Sequence, residues 1–299
     1  MLQENTIKLS SSYAIASKVK DYSQLMKFNL TFMVVFSSVV GYLLVPMIEF
    51  NWVKVLLLFA GGLLVTGSAN TINQLWEKNT DKLMARTAVR PLPAGRMGDL
   101  EATILAAITG IGGVLLMGFC FNWLCAALSL LSLVLYGFVY TPWKKWNSLS
   151  VLVGAIPGAM PPLIGWVAGA NELSSGGWSL FAIQFLWQFP HFWAIAWIAY
   201  KDYAKAGFKM LPGSGEPNKY TALQAATYTL LLIPAGIVPY KLGITGSISA
   251  IVAIVAGLFF FYRSVNLYRK NDVPAARKLM FGSYIYLTVV QLVQLLDKA

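Results

Sequence analysis

Three stretches of this sequence gather residue types that do chemistry, and each lies at the edge of an apolar run. The densest extends from Asn73 to Arg96 and carries Asn73, Glu77 and Asp81 at four-residue intervals, with Arg86 and Arg90 further along at the same interval. A helix continuing through this stretch would set the three oxygen-bearing side chains along one face. Hard oxygen ligands on one face suit Mg2+, which keeps several waters and takes substrate phosphates as further ligands. Guanidinium forks match phosphate oxygens. Together they describe a diphosphate site in which the oxygens hold the metal, the metal bridges to phosphate, and the arginines offset the remaining charge. The plainer alternative is a solvated loop whose i,i+4 charges only support a helix. Asn73 tips the balance, because a polar side chain at the end of an apolar span is expensive and usually functional.

The second stretch is Tyr140-Thr141-Pro142-Trp143-Lys144-Lys145. Lys144, a compact point charge, suits a phosphate leaving group, while Lys145 equally suits an interfacial anchor. The third runs from Trp187 through Pro190-His191-Phe192 to Tyr200-Lys201-Asp202-Tyr203 and Gly207–Pro212. His191 is the single histidine of the chain. A lone histidine in an apolar helix is most often a hydrogen-bonded packing residue. Its aromatic neighbourhood would also suit a flat macrocycle, and imidazole is a common haem ligand. Asp202 is the natural second metal-side carboxylate, and Lys201 joins the cations assigned to diphosphate.

The elements that must position these residues follow from composition. Of 299 residues 57% are apolar and 12% charged, against about 25% charged in an ordinary soluble domain. Nine runs are long enough to cross a hydrocarbon core of about 30 Å as helices: about 28–48, 55–76, 102–121, 124–141, 149–170, 178–200, 221–240, 243–262 and 279–296. The expected fold is all-α, a polytopic bundle of nine transmembrane helices. Residues 1–27 would form a cytoplasmic N-terminal segment and 28–299 a single membrane-embedded domain. With the N-terminus inside, twenty of the 23 basic residues fall on inner junctions, leaving Lys54, Lys241 and Lys298 outside. That is a strong positive-inside pattern with the C-terminus outside. It accounts for the net charge of +11, so nucleic acid is not an expected partner.

The long polar connections, about 77–101, 141–148 and 201–220, all fall on the inner side, whereas the outer ones are short. Long, chemically loaded loops tend to carry function. The two acid-and-base loops lie four helices apart, a weak hint of a parallel repeat. The first 27 residues are polar, and the first apolar run is too long for a cleavable signal. Glu4 and Asp21 argue against a mitochondrial transit peptide. Cys120 and Cys125 have no metal-ligand company and read as small core residues rather than a disulfide.

At these residues the chain resembles the UbiA-type membrane prenyltransferase superfamily and, within it, the protohaem IX farnesyltransferases (haem O synthases). The pieces that carry the resemblance are Met84-x-Arg86-Thr87-x-x-Arg90-Pro91-Leu92, Pro157-Gly158-Ala159-x-Pro161-Pro162, Pro190-His191-Phe192 and Asp202-Tyr203-x-x-x-Gly207-x-x-Met210-Leu211-Pro212. In the usual aspartate-rich first motif, Glu77 here replaces the first aspartate and Asn79 the next, and the second motif is reduced to Asp202. The resemblance implies farnesyl transfer from farnesyl diphosphate to a vinyl group of haem b, with Mg2+ as cofactor. Asn73, Glu77, Asp81 and Asp202 would be the metal-binding and catalytic set. Arg86, Arg90, Lys144 and Lys201 would bind diphosphate, and His191 would bind haem. It further implies a lipid-embedded enzyme of the bacterial inner membrane, with a haem A synthase or terminal oxidase as a downstream partner. A quinone-precursor ring such as 4-hydroxybenzoate is the rival acceptor. A secondary transporter would need ionisable residues at mid-membrane, and the acids here gather at one end.

Overall fold

The apolar runs fold as helices in the computed structural model, which describes residues 16–299. In chain order these are α1 (Ala16–Leu25), α2 (Phe28–Leu43), α3 (Trp52–Asp81), α4 (Asp99–Cys120) and α5 (Trp123–Val134). A π-helical turn (Leu135–Tyr140) runs on from α5 into α6 (Thr141–Trp143). Then come α7 (Ser150–Ala170), α8 (Ser175–Ile198), α9 (Tyr200–Lys205), α10 (Lys219–Lys241), α11 (Ser247–Lys270) and α12 (Val273–Leu296). The only strand-like pairing among the described residues is an isolated bridge between Thr245 and Lys298. The all-α, polytopic expectation holds.

The expected count of nine spans is not met by length and apolarity. Among the described residues seven helices qualify, or eight if α1 and α2, bent by 52° at their break, are one span. The outstanding helix is α8. Its 24 residues are long enough at about 1.5 Å each, but Gln184, Gln188, Pro190 and His191 dilute its hydropathy. Those polar residues are buried within the bundle rather than turned to lipid.

Helix α7 packs on α2, α5 and α8, and α8 packs on α10 and α12. Between α2 and α7 the backbones nearly touch. A Cβ at Gly41 would strike the Pro162 carbonyl, and one at Gly165 the Ser38 carbonyl, the small-residue packing expected where lipid gives no hydrophobic drive. Three prolines sit inside α7, and each removes a backbone bond to the carbonyl four residues earlier. For Pro161 and Pro162 those carbonyls are Pro157 O and Gly158 O. Ser132 donates to the first at 3.2 Å and Gln184 to the second at 2.8 Å. Side chains of neighbouring helices thus replace the bonds that lipid could not.

Helices α12 and α2 close the ring. The Gln291 amide donates to Ser37 at 2.9 Å and to Gln184 at 3.2 Å. At one end of the bundle Lys298 Nζ donates to Leu43 O (2.8 Å) and Val45 O (2.7 Å). The opposite end gathers the long connections. There α1 is tied down by Lys18–Glu101 and Asp21–Arg96 ion pairs, both 2.9 Å, and by Leu25 packed with Leu92, Met97 and Ala102. The N-terminal segment therefore contributes structure to that end from Ala16 onward. Cys120 and Cys125 are free thiols.

Candidate active site

Helix α3 continues for 30 residues past its apolar stretch and ends at Asp81, so its polar residues emerge as a row at the loop-rich end. Asn70, Asn73, Gln74, Glu77 and Asp81 are all buried. Two of them build the break between α1 and α2. A break frees backbone carbonyls that must find donors. Gln74 Nε2 donates to Leu25 O, and Asn70 Nδ2 donates to Met26 O at 3.3 Å and to Thr31 Oγ1 at 3.1 Å. The break holds Lys27 in the left-handed region, at φ 51° and ψ 54°. An L residue adopts that conformation only at a cost of about 1–3 kcal/mol. Lys27 Nζ is thereby aimed at Asn73 Oδ1, 3.1 Å away.

The other three residues of the row are met by cations and hydroxyls from elsewhere. Asn73 Nδ2 donates to Thr141 Oγ1 at 3.1 Å. Glu77, 6% exposed, accepts from Lys144 Nζ at 2.8 Å. Asp81, 1% exposed, accepts from Arg90 at 2.7 Å through Oδ2. Arg90 reaches it because the chain turns back after Asp81, a turn pinned by Thr87 Oγ1 donating to Asp81 O at 2.8 Å. Lys144 reaches Glu77 because the π-helical turn and Pro142 swing the chain end inward, with Thr141 Oγ1 donating to Tyr136 O at 2.8 Å. A π-turn inside an α-helix is a frequent mark of a functional site. Lys144 lies 4.6 Å from the Tyr140 ring centroid and 5.9 Å from that of Phe208, and its carbonyl accepts from the Lys209 N–H at 2.8 Å. Burial opposes its charge, but the Glu77 carboxylate and its hydrogen bond outweigh that and raise the Lys144 pKa above the ordinary 10.5. The group is therefore a fixed cation at physiological pH.

A hard divalent cation fits this set. Asp81 Oδ1 is buried without a hydrogen-bond partner, and a buried carboxylate oxygen left unpaired is costly. It stands with the oxygens of Asn73 and Glu77 on one helix face, the donor chemistry a magnesium ion prefers. Among the described residues no three His, Cys, Asp or Glu side chains form a metal-ready group, so two acids and one amide are what α3 offers.

The remaining expected residues are spread more widely. Arg86 is exposed and pairs with no acid among the described residues. Asp202 and the exposed Lys201 line a different cleft of about 490 Å3, together with Asn271, Asp272 and Val273. None of Asn73, Glu77 or Asp81 lines that cleft. His191 lies on α8, 8% exposed, with Nδ1 2.7 Å from Ser283 Oγ on α12. Its ring stacks on Trp187 at 4.6 Å. Sequence reasoning missed Lys27 as a site residue. The available signal was a lysine immediately before the first apolar run, but its left-handed backbone and its partner on α3 leave no mark in the residue order.

The chain matches the UbiA prenyltransferase family over residues 34–287. It is 46% identical over 287 residues to a protoheme IX farnesyltransferase of Cytophaga hutchinsonii, covering 95% of this chain and 99% of that protein. A protoheme IX farnesyltransferase of Flavobacterium johnsoniae is 41% identical over 302 residues, covering 99% and 98%. Among solved structures, that of a digeranylgeranylglyceryl phosphate synthase superposes with a TM-score of 0.78 at 22% identity, covering 94% of this chain and 98% of that one. A UbiA homologue from Archaeoglobus fulgidus bound to DMAPP and Mg2+ gives 0.71 at 13% identity, covering 92% and 99%. The structural likenesses speak to the fold alone, whereas the long, close sequence matches and the buried acid-and-cation row at the end of α3 agree on lineage: the chain belongs to the UbiA prenyltransferase family.

Proposed function

We propose that the protein transfers a farnesyl group from farnesyl diphosphate to a vinyl group of haem b, with addition of water, to make haem O. The observation that carries this reading is the 46% identity, over nearly the whole of both chains, to a protein named protoheme IX farnesyltransferase. The local chemistry agrees with it. Asn73, Glu77 and Asp81 would hold a magnesium ion, with Asp202 as the more distant acid of the set. Such an ion would supply positive charge to the diphosphate as it departs. Lys144 and Arg90, each already within 3 Å of an α3 acid, supply cations of the chain's own. Arg86 and Lys201 are the outlying ones, and Lys27 adds a hydrogen-bond donor beside Asn73.

Departure of diphosphate breaks a C–O bond and leaves an allylic cation. The haem vinyl group adds to that cation, and water then captures the porphyrin-stabilised cation with loss of a proton. No protein nucleophile is needed, so the residues' task is to stabilise developing charge and exclude stray water. Burying the isoprenoid tail among apolar helices contributes about 0.8 kcal/mol per CH2. His191, beside Trp187, is the residue for the haem side.

The direct test is incubation of the purified protein with haem b, farnesyl diphosphate and Mg2+, with mass spectrometry of the haem. A parallel reaction offers 4-hydroxybenzoate as acceptor. Haem O in the first and nothing in the second is the expected result; prenylated benzoate alone would replace the acceptor assignment. EDTA in excess should stop turnover, and added Mg2+ should restore it. Full turnover in EDTA would remove the metal from this reading.

The proposed setting is the bacterial inner membrane with the α3 acid row at the cytoplasmic face. Reporter fusions at Ser175 and Lys205 should then read from opposite sides, Lys205 inside. Both reporting from one side would overturn the orientation. Delivery of the product to a haem A synthase or terminal oxidase rests on the family resemblance alone.

A further inference from the structure

The contact between α8 and α12 at His191 carries more chemical detail than a packing interaction requires. Ser283 is fully buried, and its hydroxyl has one proton to donate. That proton is directed to Met280 O on the preceding turn of α12, at 2.5 Å. The Ser283 oxygen is then left as an acceptor toward His191 Nδ1, at 2.7 Å. For that bond to form, Nδ1 must carry the imidazole proton. A neutral imidazole has a single N–H, so Nε2 is left with the unprotonated lone pair, the form that ligates a metal.

The ring's orientation is fixed by the same residue. Trp187, one turn before His191 on α8, stacks on the imidazole with centroids 4.6 Å apart and planes 15° from parallel. The Trp187 indole N–H donates to the Ser283 carbonyl at 2.7 Å. Ser283 thus holds the imidazole through its hydroxyl and the stacked indole through its backbone. Tyr284 meets the imidazole edge-on at 5.1 Å. Among the described residues Nε2 makes no hydrogen bond, and the nitrogen engaged is Nδ1.

We propose that Ser283 is a positioning residue that sets His191 in the Nδ1-protonated tautomer, presenting Nε2 to the iron of the haem acceptor. The inference rests on the reading of His191 as the haem-side residue, and deepens it by naming the group that prepares the ligand. The sequence gives no hint of it, since the two residues are 92 positions apart.

Because His191 is the single histidine, protein labelled with 15N-histidine, after removal of any affinity tag, reports one imidazole. Wild type without haem should show a protonated Nδ1 and an unprotonated Nε2. Ser283→Ala should lose that preference while staying folded, melting only a few degrees below wild type, since it removes one buried hydrogen bond. Haem b affinity, followed by the absorption spectrum, should fall about 10- to 100-fold, the usual effect of losing the partner behind a metal-ligating histidine. Binding of a farnesyl diphosphate analogue should stay unchanged. Ser283→Thr keeps the hydroxyl and should hold the wild-type tautomer and affinity; if its added methyl disturbs the seam, the wild-type and Ser283→Ala spectra decide the question without it.

A wild-type imidazole protonated on Nε2 overturns the proposal. So does a Ser283→Ala protein with unchanged haem affinity when His191→Ala has lost it. If His191→Ala itself binds haem with unaltered affinity and spectrum, the haem-side reading of His191 falls first, and the tautomer measurement then stands as a packing result.

Discussion

Asp81→Asn cuts farnesyl transfer about a thousand-fold while the bundle keeps its fold; that is the expected result for a carboxylate that would hold the metal ion meeting the departing diphosphate. The amide has the volume of the carboxylate, which matters at a side chain only 1% exposed. Its oxygen can still accept from Arg90, so the turn after α3 survives. What disappears is the negative charge that would hold a divalent cation. Glu77→Gln should lose turnover alike, and both variants should stay folded but melt below wild type, since each leaves a partly buried cation, Lys144 or Arg90, without its carboxylate. Turnover is read as haem product per folded enzyme. Either variant retaining wild-type turnover would remove its carboxylate from the mechanism.

Lys144→Met tests the other half of the same pair. Removing one partner of a buried ion pair costs about 3–5 kcal/mol, because the survivor is left uncompensated. Glu77, 8% exposed at its side chain, would be that survivor. Turnover should fall about 100-fold as the departing diphosphate loses a fixed cation. Combining Lys144→Met with Glu77→Gln should recover most of the stability and none of the turnover, which separates the structural from the chemical role. A double variant as unstable as the single one would show that the cost lies in packing against Tyr140 and Phe208 instead. In the wild type the raised pKa of Lys144 means that the pair's stabilisation is complete below 10.5 and lost only as pH rises through the higher folded value.

The α3 row was legible because helical spacing is local: Asn73, Glu77 and Asp81 share a face whatever surrounds them. Lys144 was legible as a residue type. Its pairing with Glu77 was not, because the two lie 67 positions apart and a π-turn delivers it. Arg90 was expected to continue a spacing, whereas the chain reverses after Asp81 and brings it back to that acid. Lys27 was counted only as an inner charge, since nothing local announces a left-handed residue held by Asn70 and Gln74. Hydropathy counted α8 as a plain span through its uncharged run. The same residues that make it unusual, Gln184, Gln188, Pro190 and His191, are the ones that face the interior. Asp202 was legible as a residue type, whereas the cleft it lines, with Asn271, Asp272 and Val273, was not.

The seam between α2 and α12 has a temporal meaning. Its bonds join residues 253 to 255 positions apart, so none can form until almost the entire chain is made. Contacts of such long sequence separation close late because loop entropy must be overcome first. During synthesis α2 therefore waits in the bilayer with Ser37 unpaired, while α7 can already grip it through the close glycine contacts. Assembly becomes a ring with a preformed hinge and a final clasp, and the clasp includes Lys298. An interrupted translation product would carry every residue of the α3 row, yet hold it in a bundle still open along one side.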